Sequence, residues 1–133
     1  MITGGCLCGR VRYEARGEPL FGVVCHCRDC QRASGAGHVP VIGFRKSDFS
    51  ITGETRSYAV AGGSGKLAVR QFCPNCGSVL FGLPEIAPEL VTLYVGSLDE
   101  PMEFKPDYVQ FTRDRRDWDA LRFDVPQHHT AGQ

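Results

Sequence analysis

Seven cysteines in three groups constrain this 133-residue chain more than any other feature of its sequence. The groups are a C-x-C pair, a C-x-C-x-x-C triplet and a C-P-x-C pair: Cys6 and Cys8; Cys25, Cys27 and Cys30; Cys73 and Cys76. Seven is an odd number, and it is well below the cysteine density of a small disulfide scaffold. The members of the triplet are also too close together for an ordinary disulfide framework. Reduced thiols that hold metal ions explain the pattern better.

The two outer pairs together predict one closed site of four thiolates. Between Cys73 and Cys76 the proline sets a rigid turn, and Gly77 permits the positive φ that points backbone N–H groups at the sulfurs. Cys6 and Cys8 face the same side of an extended chain, so both sulfurs can reach one ion. Four thiolates are a structural zinc site. The alternative, a thioredoxin-like redox pair at Cys73 and Cys76, is disfavoured because that motif opens a helix, whereas Gly77 and a strand follow here.

The triplet of Cys25, Cys27 and Cys30 can place three thiolates around a second zinc ion and leave the fourth tetrahedral position open. The chain has no eighth cysteine to close this site. A histidine could close it, and the sequence offers four: His26, His38, His128 and His129. An ordinary surface or half-buried side chain is the favoured interpretation of each histidine. We therefore predict an open site, where a ligand binds or reacts.

Charge and hydropathy argue against several classes of function. Fifteen basic residues balance fifteen acidic ones without a block of like charge, which disfavours nucleic acid or an anionic membrane surface as the main partner. No apolar run approaches the roughly 20 residues of a membrane span, and the N-terminus lacks the basic and apolar regions of a secretory signal. We expect a cytoplasmic protein, because thiols are kept reduced there.

Short segments in which apolar and polar residues alternate are separated by glycine, proline or polar turns. This pattern predicts a mainly β domain of short antiparallel strands in two packed sheets, the fold class we expect. The predicted strands are 11–15, 20–24, 38–44, 49–52, 56–60, 67–72, 79–82, 90–95 and 108–112. Residues 28–33 favour a short helical turn. The length and the 42% apolar content suit one core, so we predict a single domain over 1–126. Residues 127–133 are predicted to form a frayed tail.

The cysteine-bearing segments resemble, in order and spacing, the three signature blocks of the glutathione-dependent formaldehyde-activating enzyme (GFA) family, which is also known from the centromere protein V domain. The blocks are 5–13, 25–36 and 72–78. The resemblance implies a β-tent fold of the kind shared with methionine sulfoxide reductase B. It also implies two zinc ions per chain: a structural ion at the two outer pairs and a more labile, catalytic ion at the triplet.

The activity that this resemblance implies is that of a carbon–sulfur lyase or synthase that forms S-hydroxymethylglutathione from glutathione and formaldehyde. Zinc suits this chemistry because it deprotonates a bound thiol, whose ordinary pKa is near 8.5. The partners would then be a small thiol, with glutathione as the cosubstrate, and an aldehyde. Arg28 and Arg32 are the cations nearest in sequence for the two glutathione carboxylates, although a solvated strand or turn residue is the favoured interpretation of either arginine taken alone.

Other classes of protein are compatible with parts of the same pattern. A non-catalytic zinc domain that binds glutathione or a protein is the main alternative. A zinc-ribbon nucleic-acid binder is disfavoured by the zero net charge. A sulfoxide reductase would need a free catalytic cysteine, and none is left once both clusters are assigned.

Overall fold

The computed structural model describes residues 1–120 and 123–132. The strands are β1 (Ile2–Gly5), β2 (Arg12–Ala15), β3 (Phe21–Cys25), β4 (Val39–Arg45), β5 (Phe49–Thr52), β6 (Arg56–Ala61), β7 (Leu67–Phe72), β8 (Val79–Pro84), β9 (Leu90–Tyr94) and β10 (Tyr108–Gln110). The helices are α1 (Arg28–Ser34) and single 3₁₀ turns at Lys46–Asp48, Val95–Ser97 and Thr112–Asp114. Across this part of the chain, none of the helices has the length and apolar character needed to cross a membrane.

The strands form two sheets, which confirms the predicted fold class. The smaller sheet has the order β1-β2-β5 and the larger has the order β10-β3-β4-β9-β8-β7-β6. Neighbouring strands are antiparallel, except that β10 runs parallel to β3. Strand β1 was not predicted because its Gly4-Gly5 end has no strand propensity of its own. It forms by pairing with β2, and a side chain at Gly4 would collide with the ring of Tyr13.

The hydrophobic core lies between the two sheets. Tyr13 and Val11, in and beside β2, belong to the same buried cluster as Ile42 of β4 and Leu93 of β9. Aromatic contacts also join the sheets through β5, since the ring of Phe49 lies 5.7 Å from that of Tyr13 and 5.0 Å from that of Phe81. One face of the larger sheet is therefore covered by the smaller sheet.

The larger sheet curls around a space on its other face. Phe111 follows β10 and Gly63 follows β6, which are the two opposite edge strands. These residues nevertheless touch, because a Cβ atom on Gly63 would lie only 2.9 Å from the Phe111 ring. The sheet thus encloses a cavity of about 610 Å³ on the face that points away from the core.

The last described residues are attached to β10 rather than frayed. The N–H of Val109 donates to Pro126 O (2.9 Å), that of His128 to Val109 O (2.7 Å), and that of Phe111 to Thr130 O (2.8 Å). This differs from the expected tail beginning at Gln127. The physical reason is that β10 is an edge strand, whose unpaired backbone groups need partners.

Candidate metal centres and the adjoining cavity

The two outer cysteine pairs converge as predicted. The Sγ atoms of Cys6 and Cys8 are 3.6 Å apart, and those of Cys8 and Cys73 are 3.8 Å apart. With Cys76, all four sulfurs lie within 4.8 Å of one another. A zinc ion with Zn–S bonds of about 2.3 Å needs its sulfurs about 3.8 Å apart at the corners of a tetrahedron. The donor set and its spacing therefore fit a closed zinc site.

Backbone turns and one hydroxyl hold this four-thiolate cluster in place. Gly77 has φ +78°, and its N–H donates to Cys73 O (2.8 Å), which closes the turn. The Ser78 hydroxyl lies 3.2 Å from the Cys76 sulfur and accepts a hydrogen bond from Leu7 N (3.1 Å), so it links the two cysteine pairs. Hydrogen bonding from Ser78 lowers the pKa of Cys76 to about 5. Cys76 is thereby prepared to act as a thiolate ligand.

The triplet is built around the junction of β3 and α1. Cys25 ends β3, Cys27 is the N-cap of α1, and Cys30 lies in the first turn of the helix. The N–H of Cys30 donates to the Cys27 sulfur (3.3 Å), so one sulfur both caps the helix and joins the cluster. The three sulfurs lie within 4.8 Å of one another, and no other His, Cys, Asp or Glu of residues 1–120 and 123–132 joins this group.

The three thiols of the triplet strongly affect one another. Hydrogen bonding from Cys25 and Cys30 lowers the pKa of Cys27 to about 2. The hydrogen bond with Cys27 raises the pKa of Cys25 to about 11, and hydrogen bonding with Cys25 raises the pKa of Cys30. Three crowded sulfurs therefore favour a single thiolate, and a bound cation would let all three ionise together. Three thiolates with room for a fourth ligand fit zinc.

The histidine of the triplet motif faces away from the sulfurs, as strand alternation predicts. The Nδ1 atom of His26 is 3.2 Å from Gly37 O and 3.5 Å from Asp119 Oδ2. His38 Nδ1 lies 2.7 Å from the same carboxylate oxygen. Gly37 permits this approach, because a Cβ atom there would lie 2.5 Å from Asp119 Oδ2. His26, His38 and Asp119 thus form a cluster, buried at His26 and Asp119, that faces away from the sulfurs. This cluster connects the C-terminal segment to the end of β3.

The other two histidines are placed near the C-terminal end of the chain. His128 packs against the ring of Tyr108 (5.3 Å between centroids), and His129 is exposed. Neither joins the sulfur group of the triplet. The structure therefore brings none of the four candidate histidines to the fourth position beside Cys30.

The triplet lines the 610 Å³ cavity enclosed by the curled sheet. Arg70, on β7, extends across the cavity and places Nη2 3.7 Å from the Cys30 sulfur. Tyr94, on β9, lines the same cavity beside Arg70. Burial raises the pKa of Tyr94, against an opposing effect of Arg70, so its hydroxyl stays protonated at neutral pH. A cation and a proton donor therefore lie beside the sulfurs.

Two further arginines belong to the cavity wall. All three of Arg28, Arg32 and Arg113 are exposed, but only Arg28 on α1 and Arg113 after β10 line the cavity, and Arg32 lies outside the lining. Arg113 was missed because it is distant in sequence from every cysteine. No local signal identifies it, since only the parallel pairing of β10 with β3 brings its segment to the triplet.

Gln31 fixes the position of the cavity wall that α1 and the segment after β10 form. It is buried (6% exposed), and its side-chain NH₂ donates to His26 O (2.7 Å) and to Asp114 O (2.9 Å). Its side-chain oxygen accepts hydrogen bonds from Arg28 and Arg116. The helix, the end of β3 and the segment after β10 are therefore held together at the cavity rim.

Comparisons with known proteins agree with this architecture. Residues 1–114 match the family model described as glutathione-dependent formaldehyde-activating enzyme. The fold is similar to that in a crystal structure of a Rhodobacter sphaeroides protein, with a TM-score of 0.60 and 23% sequence identity over 94% of this chain and 98% of the other. No curated protein matches the chain.

Proposed function

Since that family match spans most of the sequence, the chain belongs to the glutathione-dependent formaldehyde-activating enzyme family, and we propose that it is a zinc-dependent carbon–sulfur lyase. The reaction is the reversible formation of S-hydroxymethylglutathione from glutathione and formaldehyde. The observation that carries this proposal is the triplet of Cys25, Cys27 and Cys30. It lines the cavity, and no fourth His, Cys, Asp or Glu of the described residues brings a ligand atom within 4.8 Å of all three sulfurs.

The chain would hold two zinc ions, one in the four-thiolate cluster and one in the triplet. Zinc in the triplet supplies a position at which a substrate thiol stays deprotonated and therefore nucleophilic. The four-thiolate cluster has its coordination filled by protein sulfurs, so its role is structural. The reaction would take place in the cytoplasm, where glutathione and the protein thiols remain reduced, and its partners are small molecules rather than nucleic acid.

Protein side chains beside the triplet suit addition of a thiolate to a carbonyl. The glutathione sulfur bonds to the formaldehyde carbon, and the carbonyl π electron pair moves to the oxygen, which takes a proton. Arg70 and Tyr94 lie where they can donate hydrogen bonds to that oxygen as its negative charge develops. In the reverse direction the same donors bind the hydroxymethyl oxygen while the carbon–sulfur bond breaks.

The arginines of the cavity wall suit the carboxylates of glutathione. Arg28 and Arg113 both line the cavity near the triplet. Arg32, the second cation proposed from the sequence, is exposed outside this lining and could meet a carboxylate only from the rim. Of the two arginines proposed from the sequence, we therefore assign a carboxylate contact within the cavity to Arg28 and none to Arg32, and Arg113 is the second cation of the wall.

An exchange assay combined with metal analysis tests this proposal. Two zinc ions per chain and accelerated exchange between formaldehyde, glutathione and their adduct, followed by NMR, are the expected results. Arg28→Ala should raise the glutathione KM roughly tenfold, because a hydrogen bond to a charged group contributes about 1.5 kcal/mol. Arg32→Ala is the matched control and should change KM less than twofold. Zinc-loaded protein that binds glutathione without accelerating exchange would identify a binding module instead.

A further inference from the structure

One half of the cavity is lined by apolar side chains that neither glutathione nor formaldehyde is expected to contact. Val39 and Val41 on β4 face the cavity, and the cross-strand pair Ala68 and Pro84 continues the same surface on β7 and β8. Ala61, at the end of β6, extends it to the edge of the sheet. The cysteine triplet and this apolar surface thus line one continuous space.

Apart from Arg70 on β7, the charged groups of the cavity lie on a different wall. Arg28 and Asp29 come from α1, and Arg113 and Asp114 come from the segment after β10. A peptide with two carboxylates is therefore expected to lie along the helix side of the cavity. Apart from Arg70, which lies beside the triplet, the lining residues of β4, β7 and β8 are apolar or glycine, and they form an apolar floor that the tripeptide does not need.

An aromatic ring borders one end of the apolar half. Phe111 has the left-handed φ of +57°, which is unfavourable for a bulky residue and is found mainly at functional or tightly constrained positions. This conformation directs the ring to the turn between β6 and β7, where Gly63 leaves room for it. The Phe111 ring therefore borders the end of the cavity near Ala61, although Ala61 and Gly63 are themselves exposed.

We propose that the aldehyde handled by this site carries an apolar substituent, so that the ligand is a glutathione adduct of an aldehyde larger than formaldehyde. This inference rests on the proposed carbon–sulfur chemistry. The glutathione sulfur bonds to the carbonyl carbon, the π electron pair moves to the oxygen, and the oxygen takes a proton. No oxidant or reductant is required, and the apolar substituent lies against Val41, Ala68 and Pro84.

The size of the cavity supports this ligand class. Pockets of roughly 300–1,000 Å³ with mainly apolar walls hold drug-sized ligands, and this cavity of about 610 Å³ lies within that range. Formaldehyde adds a single carbon to the glutathione sulfur, which would leave the apolar floor in contact with water. Each methylene placed against that floor should strengthen binding about fourfold.

Binding of S-hexylglutathione and S-methylglutathione to the zinc-loaded protein, measured by calorimetry, tests the proposal without requiring turnover. We expect the hexyl derivative to bind at least about tenfold more tightly, equivalent to burying roughly two methylenes. Ala68→Leu should reduce that ratio to about one by filling the apolar floor. Ala59→Leu, at an exposed position of the neighbouring strand β6 that does not line the cavity, is the matched control and should preserve the ratio.

The outcomes separate this inference from the proposed reaction. Any of three results would overturn the ligand class. The two derivatives could bind equally, the hexyl derivative could show no detectable binding, or the ratio of hexyl to methyl affinity could be the same in Ala68→Leu and Ala59→Leu. Exchange of formaldehyde with glutathione would in that case still support the reaction. Conversely, a preference for the hexyl derivative that Ala68→Leu abolishes would support an apolar subsite beside the triplet. If neither hexanal nor formaldehyde is then exchanged with glutathione, the proposed reaction fails, and the aldehyde assignment that rests on it fails with it.

Discussion

The two tasks proposed for the cysteine side chains, structural and catalytic, match a difference in their local contacts. Cys76 lies in a tight turn, contacts Ser78 and belongs to a cluster that joins the N-terminal residues to the turn before β8. Cys27 lies at the start of α1 and receives a hydrogen bond from Cys30 N (3.3 Å). Loss of the first sulfur breaks a crosslink between distant parts of the chain, whereas loss of the second affects only one helix end and the cavity.

Serine substitutions at Cys76 and Cys27 should therefore have different consequences. Structural zinc contributes on the order of 10 kcal/mol, against a typical domain stability of about 5–15 kcal/mol, so Cys76→Ser should be largely insoluble or unfolded. Cys27→Ser should fold, because serine is itself a preferred N-cap, and should lose the zinc of the triplet together with any activity. Soluble yield, circular dichroism and metal content measure both effects. Two variants that fold equally well would contradict the division into structural and catalytic sites.

Strands could be predicted where their own residues alternate between apolar and polar. They could be predicted less well where the segment forms mainly by pairing with another part of the chain. Alternation in segments such as 11–15 and 67–72 predicts strands that the structure contains. The glycine-rich β1 and the attachment of residues 126–130 to β10 depend on pairing with another segment rather than on their own residues, so their own sequence pattern does not identify them. The same limit explains why Arg113 was missed, while the two cysteine clusters, whose spacing within each motif is local, were predicted.

Attachment of the C-terminal segment should stabilise β10 and the cavity wall that follows it. Deleting residues 126–133 removes the carbonyl groups that accept hydrogen bonds from Val109, Phe111 and Thr112. At about 1 kcal/mol for each bond, amide protection of β10 should fall roughly 100-fold in hydrogen exchange. Deletion of residues 131–133 alone is the control, because it keeps all three acceptors. Unchanged protection of β10 in the longer deletion would show that this segment does not stabilise the strand.

In the molecule as a whole, the hydrophobic core and the proposed reaction site lie on opposite faces of the larger sheet. The smaller sheet covers one face and forms the core with residues such as Tyr13, Ile42 and Leu93. The other face curls into a cavity that carries the triplet, Arg70 and Tyr94. Periodicity predicts that a strand has two faces, but it does not predict curvature. The volume and apolar floor of the cavity could therefore be recognised only in three dimensions.

The open coordination position of the triplet is the central claim, and cobalt substitution tests it directly. With cobalt replacing the more labile zinc, titration with glutathione should increase the sulfur-to-metal charge-transfer absorption as a fourth sulfur joins Cys25, Cys27 and Cys30. About one proton per site should be released, as occurs when thiols bind metal. S-Methylglutathione should not reproduce the change, because its sulfur cannot become a thiolate. A spectrum that glutathione leaves unchanged would contradict the claim and show that the triplet site is closed.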